Sequence, residues 1–281
     1  MAGDFYVDDT CIDCDACRQI APAVFRDHGD QSSVYRQPAT DAEVLAALKA
    51  VVACPTASIG TARKYDARAG VEAFPERVDA NVYFCGFTAE SSFGAWSYLV
   101  VRPEGEGGNV LIDSPRFTRP LVRKIEALGG VRAIFLTHRD DLADQEKFAR
   151  HFGARRVMHA DDGAARHGVE RVLEGEAEAR LDEDLLAIPT PGHTRGHAVL
   201  LYRDKYLFTG DHLAWSPARG GLTAFRSACW YSWPVQTRSM EKLLQHRFEW
   251  VLPGHGRIHH ASADVMRAEL ERCVEWMKSF V

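Results

Sequence analysis

The sequence predicts an α+β chain of two domains, a small cysteine-bearing one followed by a larger one of mixed strands and helices. Three observations predict it. Four cysteines fall in the first fifth of the chain, as Cys11-Ile-Asp-Cys14-Asp-Ala-Cys17 and then Cys54-Pro55. A polar stretch, TARKYDARAGVEAFPERVDA (61–80), follows them and reads as a linker or wrapping arm. Beyond it, apolar strand-like runs stop repeatedly at a metal-capable side chain: Asp113, His138, His193, Asp211 and His255. The 281 residues are 46% hydrophobic and 26% charged, which is enough for one small core and one medium core.

Net charge is −5 with both signs mixed along the chain, so no basic nucleic-acid patch or polybasic membrane anchor is visible. The start, MAGDFYVDDT, has no basic or apolar leader region, and no run of about eighteen apolar residues follows. A cytoplasmic protein is expected, without a nucleic-acid or membrane partner. Three further thiols, Cys85, Cys229 and Cys273, are widely spaced and read as small buried apolar residues.

The elements follow in order. DAEVLAALKAVVAC (41–54) has a helical apolar period and runs into Cys54-Pro55. NVYFCGF (81–87), SYLVV (97–101) and NVLIDS (109–114) read as strands, the last two joined through a glycine-rich turn. LVRKIEALGG (121–130) is a helix ending in glycines, and VRAIFLTH (131–138) a buried strand. KFARHFGA (147–154) is helical and RRVMHA (155–160) a strand. LLAIPTPGHT (185–194), KYLFTGDH (205–212) and FEWVLPGHG (248–256) are strands that deliver polar residues at their ends. TRSMEKLLQH (237–246) and ADVMRAELERCVEWMKSF (263–280) are helices.

The cysteine spacing, C-x2-C-x2-C with a later C-P, resembles that of bacterial-type ferredoxins. Two-cluster ferredoxins end the short run C-x3-C-P; here the position is Ala21, followed by Pro22, so the proline is kept and the thiol is not. The resemblance implies a single-cluster domain over residues 1–62, with a [4Fe–4S] cluster on Cys11, Cys14, Cys17 and Cys54. A three-iron cluster is the variant reading, although Cys14 is present. Zinc also takes four cysteines, but usually from paired C-x2-C elements.

In the second domain the strings LIDSP, FLTHRDD, TPGHTRGH, FTGDHL and LPGHG, in that order, resemble the metallo-β-lactamase family. The resemblance implies a four-layer αββα sandwich over residues 81–281, with 63–80 as the linker. Where the family has H-x-H-x-D-H, this chain has His138-Arg139-Asp140-Asp141-Leu142-Ala143-Asp144-Gln145. A gapless match puts Leu142 and Ala143 at the last two ligand positions. A two-residue insertion puts Asp144 and Gln145 there and keeps an acidic ligand, so it is favoured. The implied metal ligands are then His138, Asp140, Asp144, His193, Asp211 and His255, holding zinc or iron. A carboxylate at Asp140 parallels the flavodiiron branch, which has Glu there. Asp113 braces or ligates, and His197 and His212 are expected to hydrogen-bond around the site. His151, His159 and His167 read as satisfied or solvated, and His259 and His260 as surface residues. AFRSACWYSWP (224–234) either lines a pocket or packs in the core.

Three functions are open. By family analogy the first is a redox-linked hydrolase of esters or thioesters, with Asp140, Asp144 or Asp211 taking the proton from a metal-bound water. The second is a non-haem iron oxidoreductase fed by the cluster and served by a redox partner protein. The third is a non-catalytic binding module. The substrate in the first two is a small molecule.

Overall fold

The computed structural model describes residues 3–281. The chain forms two compact units, Met1–Arg132 with Leu142–Ala154, and Ala133–Asp141 with Arg155–Val281. The division falls inside the second predicted domain, so the small domain shares a unit with the strands that follow it.

In the first unit, strands Phe5–Val7 and Ile59–Thr61 pair antiparallel, and Phe25–Asp27 pairs with Ser32–Val34. Helix Asp41–Ala53 begins at Thr40, whose hydroxyl accepts from the Glu43 N–H. Its inner face joins Phe5, Val24, Phe25, Ala47 and Ala50 in one small core, which also takes in Cys17 and Cys54. Ala21, where a further ligand would stand in a two-cluster protein, is buried in that core.

The stretch read as a linker is ordered. It holds the helix Arg68–Glu72 and the strand Glu76–Asp79. Gly70 lies against the backbone of helix Asp41–Ala53, where a Cβ would stand 2.7 Å from the Leu48 carbonyl oxygen. Strand Glu76–Asp79 pairs with Val82–Phe84, which continues antiparallel into Tyr98–Val100 and Val110–Ile112. The meander therefore starts at Glu76 rather than Asn81. The segments read as strands at 81–87 and 109–114 keep only their apolar centres as ladder.

In the second unit, Ala133–Phe135, Arg155–His159 and Arg171–Leu173 pair in parallel. A six-stranded sheet runs in the order Ala179–Asp182, Leu185–Pro189, Ala198–Tyr202, Tyr206–Gly210, Trp250–Pro253, His259–His260. Helices Trp233–Lys242 and Ala263–Lys278 bury Met240, Met266, Leu270 and Val274 with Val199, Leu201 and Leu207 in one core. His259 is half-buried and its Nε2 lies 2.5 Å from Glu269 Oε2, so it is not a free surface residue.

Candidate metal centres

The first centre is built by a loop that only particular backbone geometry closes. Asp13 and Asp15 both take left-handed φ, 58° and 64°, a region that short polar side chains tolerate. Arg18, nearly buried, holds both: its guanidinium lies 3.0 Å from Asp13, 2.5 Å from Asp15 and 3.3 Å from Asp27. The turns bring Cys11, Cys14 and Cys17 around one cavity, which Cys54 and Pro55 close and Ile12, Ala16, Ser32 and Ile59 help to line. Burial pushes the Cys14 thiol up to about 12 and Cys17 up to about 11. Four free thiols converging on one cavity, in which burial makes the Cys14 and Cys17 thiolates costly, form a site that fits a cationic iron–sulfur core.

The region that backs this centre comes from further along the same unit. Gly94, at φ +81°, lies against Cys14: a Cβ there would stand 2.7 Å from Cys14 Cβ and 2.8 Å from its Sγ. Thr88 Oγ1 donates to the Ala53 carbonyl at 2.7 Å.

The second centre lies within the second unit. His138, in the loop after strand Ala133–Phe135, is fully buried, with Thr137 Oγ1 2.9 Å from Nδ1. That leaves Nε2 facing inward without a hydrogen-bond partner. Burial lowers its pKa to about 4, so the ring is neutral and its lone pair available at pH 7. His193, 2% exposed, has neither ring nitrogen hydrogen-bonded. Its Nε2 lies 3.6 Å from Asp140 Oδ2 and 3.8 Å from Asp211 Oδ2, and His138 Nε2 is 3.9 Å from both carboxylates. Donor atoms spaced this way around orphaned imidazole nitrogens fit a cation between them.

Among the described residues two groups converge closely enough to hold a metal: His138 with His193 and Asp211, and Asp141 with Asp211 and His255. Asp211 belongs to both. His255 Nδ1 lies 2.8 and 2.9 Å from its two oxygens. Burial raises the Asp211 pKa, but His255, His138 and His193 outweigh that and hold it below the usual carboxylate range. Asp140 is half-exposed at the open edge, its pKa lowered chiefly by the polar edge of the neighbouring His193 ring, 3.6 Å away.

Asp144 is not in either group. Its Oδ2 accepts from the Phe117 N–H at 2.7 Å and its Oδ1 pairs with Lys147 at 2.8 Å, at the start of helix Gln145–Phe152. Neither match of the second motif therefore locates the acidic group that the fold brings in. Asp141 does that, one residue earlier than the gapless match allows.

Asp162 escaped sequence reasoning too. Buried in a single helical turn, it accepts from Arg139 N–H, Thr194 Oγ1 and Gly196 N–H at 3.0, 2.5 and 2.7 Å. It thereby ties the loop after His138 to the loop after His193. No motif marks it; an isolated acid in a turn usually reads as surface.

The glycines of the three motif strings are steric requirements. A Cβ at Gly192, φ +151°, would stand 2.3 Å from Gln236 Cα, and one at Gly210, φ +46°, 2.5 Å from Thr137 Oγ1. At Gly254 it would reach 2.8 Å from Asp141 Oδ2 and 3.0 Å from Asp211 Oδ1.

The remaining expected residues divide. His197 Nδ1 lies 2.9 Å from Thr190 Oγ1, whereas His212 buries both ring nitrogens without a hydrogen-bond partner. His151 and His159 are satisfied by Glu126 and by the Gly175 carbonyl. Asp113 is buried at φ +54°. Cys85 and Cys273 are buried, and Cys229 is half-buried with its thiol donating to the Gly192 carbonyl. In the aromatic string, Trp233 is core, while Trp230 is 62% exposed with its ring 6.3 Å from that of His193. Among the described residues no helix is long and apolar enough to cross a membrane.

Comparison with known proteins agrees with both halves. Residues 7–61 match the 4Fe-4S single cluster domain of Ferredoxin I, and residues 92–275 the metallo-beta-lactamase superfamily. Among solved structures, the DIM-1 metallo-beta-lactamase exposed to ceftazidime is 18% identical with a TM-score of 0.55, over 73% of this chain and 96% of that one. A metallo-beta-lactamase from Pontibacter korlensis is 18% identical with a TM-score of 0.53, over 72% and 97%. ETHE1 from Myxococcus xanthus is 20% identical with a TM-score of 0.49, over 70% and 90%. The family matches carry the assignment and the first two structures share the fold: the chain belongs to the metallo-β-lactamase superfamily and bears a single-cluster ferredoxin domain on its N-terminal side.

Proposed function

We propose that the chain is a redox enzyme with two metal centres. One is a [4Fe–4S] cluster on Cys11, Cys14, Cys17 and Cys54. The other is a carboxylate-rich non-haem iron centre on His138, Asp140, Asp141, His193, Asp211 and His255. The observation that carries the reading is the donor set of the second centre. Two carboxylates and three imidazoles converge there with Asp140 at their edge, and the His138–His193–Asp211 group has the two-histidine, one-carboxylate composition that suits non-haem iron. Hydrolytic zinc also uses two histidines and one carboxylate, so it is the further carboxylates, Asp140 and Asp141, that favour iron.

When bound, the iron would supply one-electron chemistry toward a small oxidant or sulfur species, with the cluster as its electron store. The chain's own residues have separable roles. His138 is fixed by Thr137, and His193 by the loop that Asp162 ties down. Asp211 supplies charge to both groups. Asp140, at the open edge, is placed to take or give a proton to a bound small molecule. Trp230 flanks the approach to His193.

A hydrolytic reading uses the same residues, with Asp140 as the base toward a metal-activated water; it calls for zinc. A purely binding module has less support, since buried imidazole nitrogens left without partners are costly unless a cation takes them.

The test is stopped-flow mixing of the anaerobically reduced protein with dioxygen, following the cluster's visible absorbance. The wild type should reoxidise on the order of tenfold or more faster than Asp211→Ala. Equal rates, with zinc in the wild-type second centre, would leave the hydrolytic reading standing.

A further inference from the structure

We propose that Arg116 sets the reduction potential of the iron–sulfur cluster, acting as a fixed positive charge held against the Val52 and Cys54 carbonyls. The inference needs only the cluster, not the redox reading of the second centre.

The starting point is an unfinished helix end. Helix Asp41–Ala53 points its C-terminus at the cluster cavity, with Cys54 as its cap, and its last turn has no basic residue. The negative end of a helix beside a thiolate ligand disfavours adding an electron there. Arg116 supplies the missing cation from outside the ferredoxin domain. Its Nη2 donates to the Val52 carbonyl at 2.9 Å and to the Cys54 carbonyl at 3.2 Å, while Thr88 takes the Ala53 carbonyl between them.

The guanidinium is positioned rather than free. Its own backbone N–H donates to the Phe87 carbonyl at 2.8 Å, and the next residue, Phe117, donates its N–H to Asp144. Arg116 is half-buried, with Nε enclosed and without a hydrogen-bond partner. Burial pulls its pKa down, and the charges of Cys54 and Asp144 pull it up. One cation thus sits on the carbonyl of the cluster's fourth ligand and within the electrostatic reach of a carboxylate. Positive charge near the cluster favours the reduced state, and Asp144 moderates it.

The experiment is a spectroelectrochemical titration of the full-length, cluster-loaded protein, read by visible absorbance. Arg116→Gln should shift the midpoint to a more negative value. Arg116→Lys, which keeps the charge but not the paired donors, should shift it less. Asp144→Asn should shift it the opposite way, to a more positive value. An unchanged midpoint in Arg116→Gln would overturn the proposal. So would Arg116→Gln and Asp144→Asn moving in the same direction, as a general loosening around the cluster would produce. Should Arg116→Gln not fold, Asp144→Asn decides: a positive shift supports the role and no shift or a negative one overturns it.

Discussion

Replacing Asp211 with alanine should empty both halves of the second centre and leave the cluster's visible absorption in place. Asp211 is the one side chain shared by the two convergent groups, so no single neighbour can compensate for it. Its carboxylate stays ionised despite burial because three imidazoles surround it. Without it, His193 keeps only Asp140, which is half-exposed, His138 keeps Asp140 and Asp141 at 3.9 and 4.0 Å, and His255 loses the acceptor at 2.8 Å. A loss of one carboxylate from a site with so few ligands typically costs metal affinity by orders of magnitude. Elemental analysis of the purified variant checks this beside its absorbance spectrum. Retention of all the metal would mean that the ligands lie elsewhere, and parallel loss of the cluster would mean that the centres do not form independently.

Replacing Gly94 with alanine should have the converse effect, losing or destabilising the cluster while sparing the second centre. The position is at φ +81°, where an L side chain costs roughly 1–2 kcal/mol. The added Cβ would also stand 2.7 and 2.8 Å from Cys14 Cβ and Sγ. Neither atom is the far end of a flexible chain; both belong to a cluster ligand in a loop that Arg18 holds. The loop must shift, and the thiolate with it. The check is visible absorbance per chain and its decay in air. Wild-type cluster content and lifetime in Gly94→Ala would mean that the contact is slack.

The cysteine cavity was legible because three of its four thiols sit within one loop, where spacing alone dictates convergence. The second domain was legible through its glycines: Gly192, Gly210 and Gly254 leave room that any side chain would fill, so PGH, TGD and PGHG are packing constraints as well as ligand strings. What was not legible lies where no periodicity operates. The loop after His138 turns Asp141 into the group with Asp211 and His255 and leaves its neighbour Asp140 at the edge of His138 and His193, and register counting cannot see such a turn. Asp162 and Arg116 act through backbone carbonyls and N–H groups distant in sequence, and carry no pattern. The strand Ala198–Tyr202 is buried at every position, so it lacks the alternation that marks a half-exposed strand. The ordered pieces of 63–80 are short and polar, and they are held by pairing with Val82–Phe84 and packing on Leu48 rather than by local propensity.

A cluster and a separate carboxylate-rich iron centre on one chain should both show in the metal content. Iron, zinc and sulfide per chain, measured on anaerobically purified wild type with Asp141→Ala beside it, test it most directly. The expected content is about four irons and matching sulfide for the cluster, together with about two further irons. Asp141→Ala should lose one of those two, while the sulfide content stays unchanged. Four irons and no further metal, or zinc in place of the further iron, would contradict it.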